Sequence, residues 1–248
     1  MTSHSKIAYL FLVYSDVYHP QVWEKYFTGE SDNVKICCHA ANRKQTTTPF
    51  IRNNLIPYWV STKWAGLGLV LAHLELIRYA LRDPSVQRLV LCSESCIPIK
   101  SYKKTRQLLF DTDATWLRTT TQYTSRMSRV TTIPKQHHRH HSQWVALTRE
   151  HASMLVRFNF LGDFINCVVP DEHYVGSVLV HLGEAERILQ KSQTYAQWYK
   201  LSPVQFTPRE HTQISTQLIQ NLKKSDALFA RKFPANSCIN QHWKDIIE

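Results

Sequence analysis

The chain has 248 residues, 43% apolar and 11% aromatic, which excludes a disordered chain and leaves room for one large α/β domain with a sizeable core. Its 30 Lys and Arg against 19 Asp and Glu give a net charge of +11, so the expected partner is a polyanion or a phosphate-bearing ligand. Six cysteines are too few for a disulfide scaffold and lack a zinc spacing, and no segment approaches the ~18 apolar residues of a membrane span.

Met1 to Lys6 is too short for a signal peptide and runs straight into a strand, Lys6 to Val13 (KIAYLFLV), whose unbroken apolar run marks burial on both faces. His19-Pro20 opens a short helix with Val22, Trp23 and Phe27 on one side. Val34 to His39 is a second strand, and 40–56 reads as loop. Leu67 to Arg82 is the clearest helix, with Leu69, Val70, Leu74, Ile77 and Leu81 at steps of three and four before Asp83-Pro84. Arg88 to Cys92 is a short central strand, Ser101 to Phe110 a helix and Ala114 to Arg118 a strand. A long basic stretch, Thr119 to His141, carries four histidines and reads as a functional or mobile loop. Gln143 to Leu147 returns to strand pattern, and a helix runs from Thr148 through Phe158. Tyr195 to Tyr199 predicts a strand. Thr207-Pro208-Arg209-Glu210 reads as a capping box that starts a helix ending at Lys223-Lys224. Leu228 to Phe233 reads as a strand or turn, and Trp243 to Ile247 as a terminal helix. Strands alternating with helices predict one α/β domain over 1–248 with a mainly parallel sheet.

Three predicted strand ends carry polar residues: Tyr14-Ser15-Asp16, Ser93-Glu94-Ser95 and the run into Asp171-Glu172. Sheets of this type bind ligands beyond the carboxyl ends of their strands. Pro170-Asp171 predicts a helix start capped by Asp171, with Glu172 ionised in the first turn and placed as a general base. Neither GxGxxG nor GxxxxGK[ST] occurs. Asp111-Thr112-Asp113 matches Asp-x-Asp but follows a helix, so it reads as a loop feature. Histidines 137, 138, 140 and 141 read as polar surface rather than a metal site.

Five motifs in register resemble the core-2/I-branching glycosyltransferase family, closest to its plant-type branch: the opening strand and helix, Leu89 to Pro98 (LVLCSESCIP), Ser142-Gln143-Trp144, Asp171-Glu172-His173-Tyr174, and Phe229-Ala230-Arg231-Lys232-Phe233. The resemblance implies a GT-A-like, Rossmann-like α/β fold. It also implies inverting transfer of a hexose or pentose from a nucleotide sugar, usually UDP-linked, to a glycan hydroxyl. No metal and no cofactor beyond the donor are implied. Glu172 matches the catalytic base. Lys224, Arg231, Lys232 and Lys244 are the expected diphosphate cations, Tyr14 and Glu94 further donor contacts, and Trp198, Trp144 and Arg139 acceptor contacts. Where the family's animal members carry a nucleoside-binding aspartate after the second strand, this chain has His39-Ala40-Ala41.

Two rival readings follow from the same residues. The basic 118–141 stretch fits a nucleic-acid-binding protein, which salt-dependent binding would reveal. A catalytically silent relative would bind donor without transfer. The chain as given reads as soluble, either cytosolic or a Golgi-lumen domain without its anchor.

Overall fold

The computed structural model describes residues 5–121, 125–202 and 205–247; the start of the Met1 to Lys6 segment, read above as too short for a signal peptide, lies outside them. Strand β1 (Lys6–Val13) is apolar from Ile7 onward because both of its faces are covered. Ile7, Tyr9, Phe11 and Val13 enter one core, and Ala8, Leu10 and Leu12 the other, the two-residue period of a pleated strand. Helix α1 (Pro20–Tyr26) follows, and its Trp23 packs edge-on against Phe11 with ring centroids 4.8 Å apart. Strand β2 (Val34–Ala40) lies parallel to β1. One turn of helix, α2 (Pro49–Arg52), interrupts the expected 40–56 loop, capped by Thr48 accepting from the Ile51 N–H.

Helix α3 (Leu67–Leu81) covers the Leu10 side of β1, and β3 (Val86–Cys92) returns parallel to β1. Next come β4 (Ile97–Pro98), α4 (Tyr102–Phe110, capped by Ser101), β5 (Thr115–Trp116) and β6 (Thr119–Thr120). Strands β7 (His140–His141) and β8 (Ala146–Thr148) lead into α5 (Arg149–Arg157), whose cap is Thr148. Helix α6 (Tyr174–His181) precedes β9 (Ile188–Leu189), β10 (Thr194–Ala196), β11 (Trp198–Ser202) and β12 (Gln205–Pro208). The chain closes with α7 (Thr216–Lys224), β13 (Phe229–Arg231) and α8 (Ile239–Ile247).

The main sheet runs β2-β1-β3-β8-β5-β9, with β8 alone antiparallel to its neighbours. A second sheet, β10-β13-β4, carries the C-terminal Phe229-Ala230-Arg231 onto the segment that follows β3. This is the mainly parallel, helix-flanked GT-A-like architecture the sequence predicted. All six cysteines are free thiols, five of them buried. Among the described residues no helix is long and apolar enough to cross a membrane.

Two local expectations fail. Thr207 and Pro208 do not open a helix: they pair with Tyr199 and Trp198 in the β11–β12 hairpin, and α7 begins at Thr216 under a Ser215 cap. Asp171 does not cap either. Pro170–Glu172 forms a 3-10 turn, α6 starts only at Tyr174, and no side chain caps either start.

Candidate active site

The carboxylate side is built on a strained bend. Val169 has φ 56°, a left-handed conformation that a β-branched residue adopts only under constraint from its surroundings. Pro170 fixes the next dihedral, and the turn delivers Asp171 and Glu172 ahead of α6. Glu172 accepts from Arg126 Nη1 at 3.0 Å, and His140 Nε2 stands 3.5 Å from the same oxygen. Burial alone would raise the Glu172 carboxyl, but His140 and Arg126 outweigh it and hold it below the ordinary range. Its neighbour goes the other way. Burial and the Glu172 charge push Asp171 up to about 6, and Asp171 Oδ1 is buried with no hydrogen-bond partner among the described residues. Adjacent carboxyls thus divide into one ionised and one readily protonated.

His140 is positioned through β7. His141 Nδ1 donates to the Ser142 carbonyl at 2.8 Å, which leaves Nε2 to accept the Gly176 N–H at 3.1 Å. A Cβ at Gly176 would stand 2.8 Å from the His141 ring, so only glycine lets β7 approach α6 this closely. His173 Nδ1 donates to the Arg139 carbonyl at 2.9 Å. Two of the four histidines depart from the expected polar surface: His138 and His141 are buried, His141 against Gly176 of α6, while His137 and His140 stay partly exposed. Among the described residues they gather no ligand set of three or more metal-binding groups.

The cationic side is built by β13. Arg231 lays its guanidinium 4.8 Å from the ring centre of Trp144. Its Nε is buried and meets no acceptor among the described residues, an orphaned donor that calls for an anion. Lys232 pairs with Glu210 at 2.8 Å, and the Phe233 N–H donates to the Ser95 carbonyl at 3.0 Å. Glu94, partly buried at the end of β3, takes the Tyr14 N–H; burial raises its carboxyl even though Arg231 and Lys232 draw it down. Four sequence-predicted donor residues, Tyr14, Glu94, Arg231 and Lys232, thus meet at one edge.

A cleft of about 460 Å³ runs between Trp144, Trp198, Tyr195, Arg118, Gln190 and Asp226. Ala196 also lines it and is the β-sheet partner of Arg231. A second cavity, of about 490 Å³, holds Arg139 with Thr119 to Thr121 and meets the first at Gln190. Gln190 itself is clamped, accepting the Thr119 N–H at 2.8 Å. Lys224 is exposed at the end of α7, directly before the cleft residues Ser225 to Ala227. Lys244 is exposed on α8, and no hydrogen bond or ion pair joins it to these groups among the described residues.

The two sides share one short stretch of chain. His140 touches Glu172 and Trp144 carries Arg231, and a span of four residues reaches at most about 14 Å. The Asp-x-Asp step lies elsewhere. Asp111 ends α4, and Asp113 pairs with Arg88 and Arg187 near the amino-terminal end of β3, away from the site. Much of the positive charge serves the fold rather than a surface. Arg43 donates to three backbone carbonyls, as do Arg88 and Arg149.

Arg126 and Gln190 were not singled out from sequence, and His140 was read only as polar surface. Arg126 and Glu172 are 46 positions apart, and no spacing rule links them.

Comparison with known proteins follows the same lines. The profile of the family "Branch: Core-2/I-Branching enzyme" matches residues 7–223. The chain is 26% identical over 234 residues to "Glycosyltransferase BC10" of Oryza sativa subsp. japonica, covering 79% of this chain. It spans 58% of the rice protein's length.

Proposed function

Because the chain belongs to the core-2/I-branching enzyme family, we propose that it is a glycosyltransferase that moves a sugar from a nucleotide sugar to a glycan hydroxyl with inversion. UDP is the expected carrier. The observation that carries the reading is the placing of an ionised Glu172 and of Arg231, with its unpaired Nε, at the two ends of His140–Trp144.

Glu172 accepts the proton of the acceptor hydroxyl as that oxygen attacks the anomeric carbon. The bond from that carbon to the diphosphate oxygen breaks on the opposite face, so configuration inverts. Charge develops on the departing diphosphate, and Arg231 and Lys232 stabilise it where another enzyme would use a divalent cation, with Lys224 beside the cleft. Glu94 and Tyr14 border the donor at the strand ends. Trp198, 52% exposed on the cleft wall, offers a face for an acceptor sugar, with Trp144 beneath and Arg139 in the adjoining cavity.

Incubation with a panel of labelled UDP-sugars, with and without EDTA, tests the reading. Transfer to a glycan acceptor or slow donor hydrolysis that survives EDTA is expected. Donor binding with neither reaction would mark a silent relative.

A further inference from the structure

The carboxyl edge of β1 and β2 carries a built feature that the transfer chemistry leaves unused. The loop after Leu55 returns over the end of β2 and is fastened from three sides. Arg43 Nη2 donates to the carbonyls of Ile56 and Tyr58 at 2.6 and 2.7 Å. Buried His39 accepts the Val60 N–H on Nε2 at 3.0 Å. Trp59 donates from Nε1 to the Ala41 carbonyl at 3.1 Å. The indole so anchored is nevertheless 52% exposed. A ring held by its nitrogen, with much of its surface open, is preorganised to stack against a flat ligand.

The place is one where α/β sheets bind ligands, beyond the carboxyl ends of the strands. A chain of contacts also leads from it to the cations. The Asn42 N–H donates to the Tyr14 carbonyl at 2.7 Å, the Tyr14 N–H binds the Glu94 carboxyl, and Glu94 lies in the field of Arg231 and Lys232. The neighbouring acid, Asp16, is already engaged: it accepts from the N–H and hydroxyl groups of both Thr47 and Thr48. Recognition here would fall to a ring face rather than to a carboxylate.

We infer that Trp59 is the platform on which the donor's nucleobase stacks. Base, diphosphate and sugar then follow the strand ends from β2 across β1 to β3 and the cleft. The inference rests on the nucleotide-sugar reading above and adds the residue that holds the base.

Equilibrium dialysis with labelled UDP and with inorganic pyrophosphate decides it. Wild-type protein should bind UDP at least about fivefold more tightly than pyrophosphate, the lower bound of what a base–aromatic stack contributes. Trp59→Ala should lose about tenfold of UDP affinity and none of its pyrophosphate affinity. Trp59→Phe, which keeps a ring but not the hydrogen bond to Ala41, should stay within about threefold of wild type. Equal UDP affinity in wild type and Trp59→Ala overturns the platform, and so does a loss in Trp59→Phe as large as in Trp59→Ala. Equal wild-type affinity for UDP and pyrophosphate overturns it without any variant. In each of those cases the nucleotide-sugar reading stands, whereas wild-type protein that binds neither ligand overturns both.

Discussion

Arg126 donates to the Glu172 carboxylate at 3.0 Å, joining the basic stretch before β7 to the turn before α6. The pair is partly exposed, so it matters less for stability than for the ionisation of the carboxylate. His140 and Arg126 both lower the Glu172 pKa, so the carboxylate stays charged to lower pH than a lone glutamate would. Arg126→Ala should therefore move the acid limb of kcat/KM upward. The measurement is a pH–rate profile of both proteins. A lowered plateau with an unmoved acid limb would assign Arg126 a purely structural role.

The diphosphate cations separate by geometry. Lys232 and Glu210 form a half-exposed pair, worth at most about 1 kcal/mol, so Lys232→Ala should leave the unfolding temperature nearly unchanged and weaken UDP binding about tenfold. Arg231→Lys keeps the charge but loses the planar contact with Trp144, and should lower kcat about tenfold. Thermal unfolding and steady-state kinetics read the two variants, and a full-rate Arg231→Lys would contradict the stacked arrangement.

Acid should destabilise the fold, and the sign follows from burial. It lowers His39, His141 and His173 to about 4 and His73 to about 3, from 6.5. The unfolded chain thus takes up protons that the fold refuses, so stability is full above about pH 6.5 and is lost as pH falls toward 4. His39, His141 and His173 each contribute at most about 3 kcal/mol, and His73 at most about 5 kcal/mol. Asp171, raised to about 6 from 3.8, has the opposite sign: the fold favours its neutral form, and stability is lost as pH rises through that window. Four groups outweigh one. The unfolding temperature should fall steadily below pH 6.5, and Asp171→Asn should raise it more at pH 7.5 than at pH 4.5. A flat profile would contradict both assignments.

How much was legible in the sequence depends on the range of the interaction that decides each element. β1 and α3 were readable because a continuous apolar run and a three-to-four spacing each have one stable burial. α4 and α5 begin where the sequence placed them, beside Ser101 and Thr148, whose side chains accept N–H groups three residues on. The same local logic failed at Thr207. A sound capping sequence there was overridden by pairing with β11, where an edge position tolerates Pro208. His141 was misread for a related reason: it is buried against α6, and its partner Gly176 lies 35 residues downstream. At the candidate site, motif resemblance named Glu172, Arg231 and Lys232. Arg126, His140 and Trp59 left no local signal, since their roles arise from contacts with residues brought near only by the fold.

The most direct test of the account is Glu172→Gln, assayed for both UDP binding and sugar transfer. Removing the proton acceptor while keeping its shape should leave UDP affinity within about twofold and lower turnover by about 100-fold or more. Transfer at the wild-type rate would show that another group takes the acceptor proton.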